Sequence, residues 1–149
     1  RWPEPPAEWR DEELHERWSV LLGVRDEVAR AIETLRERKA VANSMAAGVE
    51  LWCEDGALGA ALREGEDTLL ELLMVSELNL PSEAPAGDEP TAAAPGEKVA
   101  GLRVAVEPSE HPKCARCWNL RPSVGRNADH PDLCERCTRA VSELNRPGT

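Results

Sequence analysis

The chain has 149 residues, with 18 Lys/Arg against 28 Asp/Glu and a net charge of −10, a balance that argues against a protein coating nucleic acid with its whole surface. No apolar run approaches the roughly 20 residues that cross a bilayer, so no membrane partner is expected. The start, Arg1-Trp2-Pro3-Glu4, has no secretory apolar region, and a soluble chain in the reducing cytoplasm, a fragment of a longer protein, is expected.

Pro3, Pro5 and Pro6 keep residues 3–9 out of a helix, so an extended lead-in is expected. Asp11 then stands where a helix N-cap belongs. Leu14, Trp18, Leu21 and Leu22, followed by Val24, Val28, Ile32 and Leu35, form the apolar stripe of an amphipathic helix running to about Ala42. Gly23 makes this either one long helix or two in tandem. The polar face interleaves Arg25, Arg30, Arg36, Arg38 and Lys39 with Asp26, Glu27, Glu33 and Glu37, the pattern of solvated ion pairs at helical spacing.

After Asn43-Ser44 the period changes. Val49-Glu50-Leu51-Trp52-Cys53 alternates as a half-buried strand, and Ala57 to Arg63 reads as a short helix. Leu69 to Leu80 reads as helix turning into strand. Residues 81–98, with four prolines and a run of alanines, are expected to be a flexible linker. Gly101 to Glu107 alternates again and is expected to pair with 75–80. The odd cysteine, Cys53, reads as a small buried hydrophobe.

Cys114-Ala115-Arg116-Cys117 and Cys134-Glu135-Arg136-Cys137 are two C-x-x-C knuckles sixteen residues apart. Four thiolates so spaced close a tetrahedron around one Zn²⁺. Disulfides would need an oxidising compartment, and a redox motif would need only one pair. Pro122, Gly125, Asn127 and Pro131 make the intervening segment a loop that folds back. Four protein ligands leave no open position, so the zinc is structural. His111 and His130 lie near the knuckles and read as loop residues, because the cysteines complete the shell. The fold class is therefore α+β: an opening helical segment (1–46), a small α/β unit with short strands (47–108), and a C-terminal four-cysteine zinc-ribbon or treble-clef-like module (109–149).

Charge is unevenly spread. Residues 1–108 hold 11 Lys/Arg against 23 Asp/Glu, whereas residues 109–149 hold 7 against 5. The tail is the basic end of an acidic chain, and Arg116 and Arg136 sit inside the knuckles.

These residues together resemble the C-terminal end of bacterial-type isoleucyl-tRNA synthetase over nearly the whole chain. Val24-Arg25-Asp26-Glu27-Val28, Glu33 to Lys39 and Ala47 to Leu51 look like the end of the anticodon-binding domain and the strand after it. Leu73-Met74-Val75-Ser76 is similar to the next short strand. Lys113-Cys114-x-x-Cys117-Trp118, Val124-Gly125, His130-Pro131-x-Leu133-Cys134 and Cys137 look like the family's zinc finger. The family's usual Ile-Gly-x-Ser-Leu is here Val41-Ala42-Asn43-Ser44-Met45, without the glycine.

The resemblance implies an enzyme that joins isoleucine to its tRNA using ATP and Mg²⁺. The nucleotide motifs of that chemistry, and hence any catalytic residue, are not in this chain. It implies tRNA, at the anticodon stem and loop, and the remaining synthetase domains as partners. Arg116, Arg121, Arg126, Arg136 and Arg139 are the expected RNA contacts, with Trp118 either stacking on a base or packing on the zinc site. Two other readings stand beside it: a zinc-stapled module that docks a protein, and the DNA-binding finger of a formamidopyrimidine-type glycosylase. In the latter, Pro3-Glu4 behind Arg1-Trp2 could not serve as the N-terminal proline nucleophile.

Overall fold

A computed structural model describes residues 4–54, 56–83, 94–95 and 98–144. Most of the expected 81–98 linker, residues 1–3 and the C-terminal tip from 145 lie outside the described residues.

After Pro6 the chain makes a single 3-10 turn, Ala7–Trp9, in place of the extended lead-in. The last proline is Pro6, and from Ala7 onward backbone donors are available; Trp9 N–H reaches Pro6 O at 3.1 Å. Helix α1 then runs unbroken from Glu12 to Glu37. Asp11 caps it as expected, its Oδ1 accepting the Leu14 N–H at 2.9 Å. Gly23 introduces no break; a Cβ there would lie 3.0 Å from Val99 Cγ2, so the glycine makes room for the segment that returns after residue 97. The helix stops short of Ala42 because Lys39 turns left-handed at φ 59°. Ala40 N–H then bonds Leu35 O and Lys39 N–H bonds Arg36 O, both at 2.9 Å. That is a Schellman closure with lysine in the place glycine usually takes.

Strand β1 (Ala47–Cys53), helices α2 (Gly56–Glu64) and α3 (Glu66–Leu73) and strand β2 (Glu77–Asn79) follow in order. β3 is only Ala94–Pro95, and β4 is Leu102–Pro108. The sheet order is β2-β1-β4-β3. The pairing expected between 101–107 and 75–80 is therefore not formed. β4 lies antiparallel to β1 along seven residue pairs, from Ala47 with Pro108 to Cys53 with Leu102, and β2 takes the far edge parallel to β1. A three-residue strand satisfies too few backbone groups to hold the centre, and a parallel return from β1 needs the crossover that α2 and α3 provide.

One face of the sheet is covered. Leu21, Val24, Val28, Ile32 and Leu35 of α1 pack with Val49 and Leu51 of β1, Leu102, Val104 and Val106 of β4, and Leu62, Leu69, Leu73 and Val75. A single core thus runs across the 46/47 boundary drawn from the sequence. The alternate positions, Glu50 and Trp52 on β1 and Arg103 on β4, lie on the other face, where the Arg103 guanidinium sits 5.4 Å from the Trp52 ring centre. Glu27 of α1 is buried; it accepts the Lys98 N–H and pairs with Arg30 at 3.2 Å, while Lys98 Nζ reaches Asp26 at 2.7 Å. The first turns of α1 behave differently: Leu14, Trp18 and Leu22 of the expected apolar stripe are exposed, and only Leu21 is covered. No described helix is long and apolar enough to cross a membrane.

Replacing Leu51, 1% exposed, with alanine is expected to lower unfolding free energy by about 2–5 kcal/mol. Leu144→Ala, at a position 78% exposed, should change it by less than about 0.5 kcal/mol. Urea titration of the two variants checks both.

Candidate metal centre

The first knuckle leaves β4 through Ser109 to Lys113. Lys113 and Leu120 bridge antiparallel, Cys114 N–H bonds Asn119 O at 2.9 Å, and Trp118 N–H turns back to Cys114 O at 3.0 Å. The turn is closed by Trp118 itself, left-handed at φ 66°. From there the chain descends through tight turns, with Gly125 at φ 87° and Asn127 Oδ1 accepting the N–H groups of Asp129 and His130 at 3.0 Å each. Ala115 N–H meets Asp132 O at 2.9 Å, which brings the two knuckles together. Cys134 immediately precedes helix α4 (Glu135–Leu144) and Cys137 lies in its first turn. One ligand pair therefore sits on a bridged loop and the other at a helix start.

The four sulfurs of Cys114, Cys117, Cys134 and Cys137 all lie within 4.8 Å of one another. Cys117 Sγ and Cys134 Sγ are 3.8 Å apart. A tetrahedron with Zn–S bonds of about 2.3 Å has edges of about 3.8 Å, so the donor set fits zinc in number, type and spacing. All five cysteines are free of disulfides. Among the described residues the apolar cover around the thiols is Val124 and Leu133, too little to hold a fold without a crosslinking ion.

Electrostatics divides the thiols. Burial raises Cys114, but the backbone groups of Cys117, Cys134 and Arg116 stabilise its thiolate and bring it down to about 6. Burial pushes Cys117 up to about 12 and also raises Cys134. A divalent ion reverses that penalty by stabilising the anionic form of each ligand.

Neither nearby histidine joins the cluster. His111 Nε2 lies 3.3 Å from Glu77, and His130 is tied by its N–H to Asn127. Cys53 stands apart at the end of β1 and is half-buried, more open than expected.

The expected RNA contacts separate into groups. Arg116 Nη1 donates to Cys137 Sγ at 3.7 Å, so its charge is directed at a thiol. Arg121, Arg136 and Arg139 converge on a cleft of about 310 Å³ between the finger and Leu70 of α3, which Glu135 also lines. Arg126 faces a second cleft with Asn127 and Thr138. Trp118, next in the chain after Cys117, is 59% exposed. Its ring carries the Lys113 ammonium 5.6 Å from its centre. Lys113 is a residue the sequence reading did not place at the site: its position against the indole comes from the bridge to Leu120, which no local pattern signals. The arginines of α1 are mostly paired, Arg25 with Asp26, Arg30 with Glu27 and Arg36 with Glu33. Among the described residues no carboxylate pairs with Arg121, Arg126, Arg136 or Arg139.

Residues 112–140 match the family model described as a zinc finger found in FPG and IleRS. Nearly end to end, the chain is similar to a segment of isoleucine-tRNA ligases. It is 37% identical over 143 residues to the isoleucine-tRNA ligase of Moorella thermoacetica, covering 96% of this chain and 15% of that protein. It is 40% identical over 139 residues to that of Geobacter sulfurreducens, covering 93% and 14%. With the ligase of Alkalilimnicola ehrlichii it shares 41% over 124 residues, covering 83% and 13%. The chain thus spans about one seventh of the length of these isoleucine-tRNA ligases.

Titration of metal-free chain with Zn²⁺ is expected to end at one ion per chain. Cys→Ser at 114, 117, 134 or 137 should lower that stoichiometry and remove amide-exchange protection at Ala115 and Thr138, while protection of Val49 and Val104 persists. Full zinc binding in all four variants would refute the site.

Proposed function

We propose that this chain is the zinc-containing, tRNA-binding part of an isoleucine-tRNA ligase, cytoplasmic and working with the remaining domains of its enzyme. Cys114, Cys117, Cys134 and Cys137 hold one structural Zn²⁺. The chain supplies no catalytic residue; ATP and Mg²⁺ belong to the parent enzyme's reaction, which joins isoleucine to its tRNA. Residues 1–46 complete a helical anticodon-binding domain that shares its core with the junction unit 47–108, and 109–149 form the finger.

The observation that carries this reading is the finger's outer surface. An indole held out into solvent, with a lysine at its ring, suits a stacked, unpaired base and its neighbouring phosphate. Among the described residues no carboxylate pairs with the guanidinium groups of Arg121, Arg126, Arg136 and Arg139, which suits them to phosphates. Arg116 serves the anionic thiol cluster first and touches RNA second. The anticodon stem and loop offers both unpaired bases and closely spaced phosphates. The acidic remainder of the chain repels RNA elsewhere and orients the finger toward it.

A second reading has its own observation. Trp9 in the turn before α1, and Leu14, Trp18 and Leu22 along its start, are exposed, a surface suited to covering by protein. Such docking is compatible with RNA binding, because the two surfaces belong to different elements. A glycosylase finger shares the family model over residues 112–140, but the relatives named above, which match nearly the whole chain, are ligases.

The test is a titration of the zinc-loaded chain with isoleucine tRNA and a non-cognate tRNA at 50 and 200 mM salt. Four phosphate contacts predict a fall in affinity of roughly 50- to 150-fold between the two salts. Trp118→Ala should weaken binding by about 1–3 kcal/mol at either salt. Absence of measurable affinity for either tRNA would reject the reading in favour of a protein-docking module.

A further inference from the structure

We propose that Ser76 and Glu77 fix the orientation of the finger on the α/β body and so act as positioning residues for RNA recognition; the functional half of this inference rests on the tRNA-binding reading above.

Ser76 is wholly buried immediately before β2, yet it is a polar residue with three bonds to make. Its hydroxyl donates to Met45 O and accepts the Leu120 N–H at 2.8 Å, while its own N–H donates to Ala47 O at 3.0 Å. One side chain therefore joins the turn before β1, the start of β2 and the first loop of the finger. Leu120 stands between the exposed indole of Trp118 and the cleft arginine Arg121. The group that Ser76 grips is the backbone that carries both.

Glu77 makes a second fastening from the next position. Its carboxylate accepts the Ser109 hydroxyl on Oε1, and its Oε2 lies 3.3 Å from His111 Nε2. Ser109 N–H also bonds Ala46 O at 2.9 Å. The covalent path from β4 to Cys114 is a single strand of chain, which alone would let the finger swivel. Bonds on both flanks of the first knuckle, at Ser109 and His111 before it and at Leu120 after it, remove that freedom.

The cleft gives the orientation its consequence. Arg121, Arg136 and Arg139 come from the finger, whereas the facing Leu70 comes from α3, and α3 leads through Met74 and Val75 directly to Ser76. The relative placement of these two walls depends on the fastening at Ser76. Zinc binding does not, because every ligand lies within the finger. Docking and metal loading are thus separable, and only docking should set where the RNA contacts stand relative to the rest of the chain.

Ser76→Ala leaves the Leu120 N–H and Met45 carbonyl without their partner. The zinc-loaded variant is expected to keep one ion per chain and unchanged amide exchange at Trp118 and Thr138, whose bonds lie inside the finger. Exchange at Leu120 should accelerate at least about tenfold, and affinity for isoleucine tRNA should fall roughly tenfold with its salt dependence unchanged, because the arginines remain. Glu77→Ala, at a partly exposed carboxylate, should accelerate exchange at Leu120 and weaken isoleucine tRNA in the same way, and decides the matter if Ser76→Ala does not fold. Unaltered Leu120 exchange in the folded variants would overturn the fastening. Accelerated exchange with wild-type tRNA affinity would overturn the positioning role. A wild-type chain that binds no tRNA would instead reject the functional reading, and the positioning role with it, leaving the exchange result to report on docking alone.

Discussion

The antiparallel ladder between β1 and β4 is the constraint on which the remaining architecture depends. Its seven residue pairs set both faces of the sheet, placing Val49, Leu51, Val104 and Val106 under α1 and Glu50, Trp52 and Arg103 on the other side. A slip of one residue would exchange those sets and bury charge under the helix. The ladder also aims the finger: Pro108 pairs with Ala47, and the next residue, Ser109, hydrogen-bonds Ala46 before the chain turns toward the thiols. The point at which the finger leaves the body is thus a matter of strand register.

The two parts are stabilised by different physics. The body buries a continuous apolar cluster shared by α1, the sheet, α2 and α3. In the finger the buried residues are themselves the ligands, Cys114, Cys134 and Cys137, with little else around them. Polar bonds at Ser76 and Glu77 join the two, and a joint of this kind specifies orientation more than it adds stability.

Periodicity and capping made much of the body legible. The later part of the α1 stripe, Val24 to Leu35, the Asp11 cap, the alternation of β1 and β4 and the helix-to-strand change in 69–80 all follow from side-chain spacing, whereas Leu14, Trp18 and Leu22 carry the same spacing and stay exposed. Pairing order did not, because alternation places a residue on a face without naming its neighbour strand, and the shortness of β2 emerges only once the crossover is built. The end of α1 was misplaced because Lys39, a good helix former, takes the left-handed position normally marked by glycine. In the finger the knuckle spacing made the thiol cluster legible, since four sulfurs at that separation have few ways to close. The fates of the arginines were not: Arg116 turns to a thiol while Arg136, at the equivalent place in the second knuckle, faces a cleft. A lone serine in an apolar stretch carries no mark of a three-way hydrogen bond.

Trp118 holds a bulky side chain where L-residues are strained by about 1–2 kcal/mol. The turn that closes the first knuckle would be made more comfortably by glycine or asparagine. The strain is tolerable because Cys114 O and the bridge at Lys113 determine the turn from both sides. In a lineage where nothing required this indole, drift at position 118 should run toward those two residues, and the finger would become easier to fold as it lost its exposed ring.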